Sequence, residues 1–190
     1  IMIIVSYKVE YQLLEKEDLM KAITNGTIMT ITKGIIPNGT VLINDKKIVA
    51  VGENVPVPEG CEIIDAHHGI ITPGFIDCHV HFLGSTSHGG GDYANENREI
   101  ANVVCEGAAH AKQLLKAGVV ACRDLGSYKG YVLGIRDAIN RGLIVGPKIL
   151  ACGYAVCARG GHGYEISYEV DDPDQMRGAV RQVVKDGADV

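Results

Sequence analysis

Apolar and polar positions alternate in short runs over residues 20–70, and strand-like and helix-like spacings then take turns to the end of the chain. Residues 22–30 are strand-like, with Asn25 and Gly26 predicting a turn. Residues 39–52 read as a hairpin about residues 44–47, residues 55–60 as a turn-rich connector, and residues 62–66 as one more short strand. This is a small antiparallel β unit with a thin core of its own, so partner strands are expected. From residue 70 an apolar strand leads into a loop rich in glycine and serine. Helical spacing follows over residues 98–117, with Ile100, Val103, Val104, Gly107, Ala108, Ala111, Leu114 and Leu115 on one side and Gly118 as its stop. Residues 119–124 predict a second strand, 131–140 a second helix ending near Gly142, and 148–153 a third strand. Asp172 before Pro173 predicts an N-cap and a first helical position, the helix running to about Asp186, and residues 188–190 start a fourth strand.

Repeated strand–helix units imply an α/β fold with a parallel sheet, either open and doubly wound or closed into a (β/α)8 barrel. A barrel needs about 250 residues, and 120 follow residue 70. The chain is therefore expected to be the N-terminal piece of a longer protein, with a small β portion at 1–70 and an incomplete α/β portion at 71–190.

Composition narrows the function classes. A chain of 190 residues, 46% hydrophobic, can bury one real core and a small second domain. A formal net charge of −5 and the lack of a basic cluster argue against a nucleic-acid surface. The apolar run at residues 1–5 is too short for a signal-peptide core or a membrane span, so no membrane partner and a cytoplasmic location are expected. The cysteines at 61, 78, 105, 122, 152 and 157 form no CxxC, which favours reduced, buried thiols over a zinc–thiolate site.

The chemistry concentrates at His79 and His81. Residues i and i+2 of a strand share a face, so both imidazoles can reach one point, while Cys78 points away. Paired histidines also occur on solvated edges. This strand reads as buried, however, and Asp77, His79 and His81 would then need partners, of which a metal ion is the simplest. No GxSxG and no phosphate loop occur, which argues against covalent catalysis and nucleotide hydrolysis.

Residues 73–81 read Pro-Gly-Phe-Ile-Asp-Cys-His-Val-His, which resembles the PGFIDxHxH of the first barrel strand in the amidohydrolase superfamily. The resemblance implies the N-terminal part of a (β/α)8 TIM-like barrel, preceded by a small β unit belonging to a composite β-sandwich. It implies that His79 and His81 ligate one or two divalent metal ions, zinc first among them, with Asp77 in a supporting role. It implies hydrolysis of a carbon–nitrogen bond, amide or peptide, by metal-activated water. The general-base aspartate and the bridging lysine would lie beyond residue 190: the lysine follows a Gly-Ala-Asp that here is Gly187, Ala188 and Asp189, and Lys185 is not its equivalent.

Gly160, Gly161 and His162 resemble the GGH of the branch holding Xaa-Pro dipeptidases and imidazolonepropionase-like proteins. His162 is thereby a substrate-binding candidate, with Arg159 and Tyr164 weaker ones. Residues 118–126 resemble the same branch's GxTTxRDxG, with Val120, Ala121 and Cys122 departing from it. Arg123 or Asp124 could position the metal strand or the substrate, and a structural ion pair is the favoured reading. His88 is read as a solvated loop residue or part of a lid, His110 as helix surface, and His67 and His68 as structural. The expected partner is a small-molecule or dipeptide-like substrate together with the missing C-terminal barrel half, and a homo-oligomer stays open. A cyclic amide hydrolase or deaminase, and an inactive fragment or metal-binding module, are the alternatives.

Overall fold

A computed structural model describes residues 20–83 and 99–190 and the backbone of 3–5. The described residues form a mixed α/β chain dividing into two units, Ile1–Gly74 and Phe75–Val190. His88 and the rest of 84–98 lie outside the described residues. No described helix is long and apolar enough to cross a membrane.

The first unit holds β1 (Ile3–Val5), β2 (Lys21–Met29), β3 (Ile35–Asn44), β4 (Lys47–Gly52), β5 (Glu62–Asp65) and β6 (Ile70–Pro73). Their order is β1-β6-β2-β3-β4, with β5 also on β2. The sheet is mixed rather than antiparallel, because β5 and β6 both run parallel to β2. β5 pairs with Lys21 to Thr24 and β6 with Thr27 and Ile28, so one strand serves two neighbours in succession. Between them the predicted Asn25–Gly26 turn is instead a bulge within β2, Asn25 having a φ of 58°. Gly26 is required there, since a Cβ would lie 2.7 Å from Ile71 and 2.8 Å from Ala66. The β3–β4 hairpin turns at Asp45 and Lys46 as expected. The core comprises Ile23, Ile28, Val41, Ala66 and Ile71.

The second unit begins with β7 (Phe75–Val80). The apolar run read as one strand over 70–81 is thus two, separated at Gly74: β6 pairs with β1 and β2, and β7 with β8. Then come α1 (Ile100–Lys116), β8 (Val119–Asp124), α2 (Val132–Asn140), β9 (Lys148–Ala151), β10 (Ala155–Ala158), β11 (Ser167–Val170) and α3 (Pro173–Lys185). β7, β8 and β9 form a parallel sheet in consecutive order. α1 packs on β8, α2 on β9, and the two helices touch. The buried stripe of α1 is Val103, Gly107 and Ala111, narrower than the apolar side of the sequence, and Ile100 and Val104 face solvent. Asp172 caps α3 by accepting from the Asp174 and Gln175 N–H groups, with Pro173 in the first turn. The core joins Phe82, Leu83, Val103, Ala111, Cys122, Tyr128, Val132, Ile135, Ile149 and Ala151.

The stretch after the third strand holds a small parallel pair, β10 with β11, against which α3 packs. The predicted fourth strand at 188–190 is not a ladder strand. Asp189 lies beside β9, its N–H donating to the Ala151 carbonyl at 2.7 Å.

Candidate metal centre

β7 is the outer strand of its sheet, with β8 as its ladder partner, and its residues are correspondingly open: Ile76 is 68% exposed and Phe75 53%. The buried strand expected from the sequence is not seen. Its ladder is also irregular, for Asp77 aligns with Cys122 and Val80 with Asp124, so an extra residue of β7 is accommodated in a bulge. Side chains satisfy the backbone freed there. Asp77 accepts the His79 N–H at 3.1 Å, and Arg123 donates Nε to the Cys78 carbonyl at 2.8 Å.

The two imidazoles come together at the C-terminal end of β7. Their ring centroids are 5.3 Å apart, edge to face at 72°, with His79 exposed and His81 half-buried. His81 Nδ1 lies 2.8 Å from the carbonyl of Gly126. A carbonyl only accepts, so Nδ1 carries the proton and the lone pair of the neutral ring is on Nε2.

Asp124, at the end of β8, is fully buried. Its Oδ2 accepts from the Phe82 N–H at 2.7 Å and the Ser127 hydroxyl at 2.5 Å, and its Oδ1 from the Gly126 N–H at 3.1 Å. Burial pushes its pKa up, while the hydrogen bonds from Ser127, Phe82 and Gly126 and the nearby His81 pull it back. The ion pair read from the neighbouring Arg123 and Asp124 is replaced by these bonds, which carry both side chains to the backbone of the histidine strand and its exit. His110 is another correction. It is not merely helix surface, since its Nδ1 bonds the Phe82 carbonyl at 3.0 Å.

His162 lies in the turn between β10 and β11 and is exposed. The turn is built by Gly160 N–H on Glu169 at 2.6 Å, Gly161 N–H on the Ala158 carbonyl at 2.7 Å, and Gly163 at a φ of 71°. It leads into a 3-10 turn (Tyr164–Ile166) whose Ile166 packs against Gly126, the residue that holds His81. Arg159 is engaged by Asp171 in a two-pronged ion pair, at 2.6 Å for the shorter contact, and Tyr164 is exposed. His67 and His68 form a left-handed turn before β6, where Asp65 accepts the His67 N–H at 2.7 Å. All six cysteines are free, but Cys78 and Cys105 are exposed rather than buried.

Two imidazoles are a donor set suited to zinc and its neighbours. Among the described residues no three His, Cys, Asp or Glu side chains converge as a complete site would need, so the pair fits part of a metal site. The profile of the Amidohydrolase family matches residues 70–190. The chain belongs to the amidohydrolase family. It is 32% identical over 134 residues to an ochratoxinase of Aspergillus niger, covering 66% of this chain and 26% of that protein. It superposes on a Xaa-Pro dipeptidase with bound methionine in the active site (TM-score 0.75, 25% identity, 90% of this chain and 45% of that one). A prolidase complexed with N-methylphosphonate-L-proline is similar to it at a TM-score of 0.74 and 26% identity, over 89% of this chain and 45% of that one. The amidohydrolase chain thus spans less than half the length of each.

Proposed function

We propose that this chain is the N-terminal part of a metal-dependent hydrolase that cleaves the carbon–nitrogen bond of a dipeptide or N-acyl amino acid. The observation that carries the reading is the His79–His81 pair, with His81 Nδ1–H bonded to the Gly126 carbonyl and Nε2 carrying the lone pair. The consecutive order of β7, β8 and β9 supports placing them as the first strands of a (β/α)8 barrel, in which sites sit at the C-terminal strand ends. The first unit would be the β-sandwich portion. The likeness to a Xaa-Pro dipeptidase and a prolidase supports the dipeptide class. The free cysteines fit a reducing, cytoplasmic home.

In this reading His79 and His81 hold one divalent ion, zinc first among candidates, with ligands from later strands. Such an ion supplies Lewis acidity and lowers the pKa of water toward neutrality. His81 keeps its tautomer through the Gly126 carbonyl, and Asp77 holds the His79 backbone in place. His162, exposed in its glycine-rich turn, contacts the substrate.

The test is metal analysis and hydrolysis of a panel of dipeptides and N-acyl amino acids by the full-length protein. His79→Ala and His81→Ala should each lose bound metal and activity while keeping the fold. His162→Ala should keep metal and lose substrate affinity or turnover. Normal metal content and activity in either ligand variant would sink the assignment. Release of ammonia instead of an amino acid would move the protein to the deaminases.

A further inference from the structure

We propose that Asp124 is the positioning residue of the histidine pair, setting the ring plane in which His81 presents Nε2. The inference rests on the reading of His79 and His81 as metal ligands and adds a residue that touches neither metal nor substrate.

The argument is geometric. The Asp124 carboxylate holds the two residues that flank His81 in space. One is Phe82, the residue following His81, whose N–H donates to Oδ2 at 2.7 Å. The other is Gly126, whose N–H donates to Oδ1 at 3.1 Å and whose carbonyl takes the His81 Nδ1–H at 2.8 Å. Ser127 completes the clamp through its hydroxyl on Oδ2, and its own N–H is tied to the Gly153 carbonyl at 3.0 Å. Backbone and ring of His81 are therefore referenced to one buried side chain. Gly126 is part of the device: its φ is 136°, and a Cβ there would sit 3.0 Å from Ile166 and 3.3 Å from Ala155.

Three donors converge on two carboxylate oxygens, so an amide cannot replace the acid. In Asp124→Asn the NH2 group must face either the Gly126 N–H or the Phe82 and Ser127 donors, so the hold on either Gly126 or Phe82 is lost. Loss of a group that orients a ligating histidine lowers metal affinity about 10–100-fold.

The experiment is a cobalt(II) titration of metal-free full-length protein, read from the visible bands of the bound ion and by chelator competition. Imidazole nitrogen NMR of His81 is recorded on the same metal-free samples. Asp124→Asn is expected to bind cobalt about 10–100-fold more weakly with altered bands, and to lose the dominance of the Nδ1–H tautomer. A folded Asp124→Asn with wild-type affinity and bands overturns the proposal. If that variant does not fold, Gly126→Ala carries the test, because it displaces the same carbonyl with the carboxylate intact. It should weaken cobalt by at least about 10-fold, and wild-type binding would overturn the proposal. His81→Ala separates the two levels. If it binds cobalt as the wild type does, the ligand reading falls and the positioning role with it. If it loses cobalt while folded Asp124→Asn does not, the positioning role alone falls.

Discussion

Arg123 on β8 reaches across to the carbonyl of Cys78 on β7, 2.8 Å from its Nε, where the bulge interrupts the ladder between the strands. A side chain here replaces a backbone bond. Arg123→Ala should cost about 0.5–1.5 kcal/mol, measured by urea unfolding. An unchanged midpoint and slope would mean that water serves the carbonyl equally well.

His110 performs a similar service from α1, binding the Phe82 carbonyl at 3.0 Å. His110→Ala should destabilise by about 1 kcal/mol. His110→Asn, whose amide nitrogen falls near the place of Nδ1, should recover most of it. Equal loss in both variants would point to packing of the ring rather than to its hydrogen bond.

The six thiols should divide by environment. Burial, with the charges of Asp124 and Asp77, pushes Cys122 up to about 12, and burial with Asp124 pushes Cys152 up to about 11. Cys78 and Cys105 are exposed. On the 190-residue chain, a disulfide reagent at pH 8 should therefore label Cys78 and Cys105 rapidly and leave Cys122 untouched until denaturant is added. Peptide mapping of the labelled protein checks the order, and early labelling of Cys122 would contradict the fold of β8.

Asp189 gives a pH-dependent term of defined sign. Burial opposes ionisation, but the Ala151 N–H and the Arg136 guanidinium outweigh it and hold the carboxyl below its usual 3.8. A lowered pKa contributes stability above the unfolded value, and this is lost as pH falls through the folded value. Asp189→Asn should thus cost about 1–2 kcal/mol at pH 7, discounted for partial exposure, and the difference from wild type should shrink below 3.8. Asp124, whose pKa is raised, has the opposite slope but is common to both proteins and cancels. Denaturant unfolding at pH 7 and pH 3 measures the gap, and a pH-independent gap would refute the assignment.

Signals confined to a few neighbouring residues were legible in the sequence. Asp172 with Pro173 marked the start of α3, Gly118 the end of α1, and the hairpin turn at Asp45 and Lys46 was found. The alternation of His79 and His81 foretold their pairing. Asn25–Gly26 misled because a hairpin turn and a bulge both call for a left-handed Asn beside a Gly. The break at Gly74 was hidden because the apolar run continues on both sides of it. Strands of four residues in a glycine-rich stretch, β10 and β11, leave almost no periodic signal. A positioning role for Asp124 was among the readings of the sequence, but a structural ion pair was favoured over it. The partner of Asp124, Phe82, is 42 residues away, and the adjacent Arg123 offered a simpler explanation.

The bond from His81 to Gly126 closes a loop of 45 residues. Chain entropy alone sets a cost of about 3.4 kcal/mol on such a closure, before any contact repays it. The native contacts that repay it include those of α1 on β8 and the pairing of β7 with β8. The orientation of His81 therefore depends on a distant residue, and a growing chain carries His81 45 residues before it carries the carbonyl that orients it.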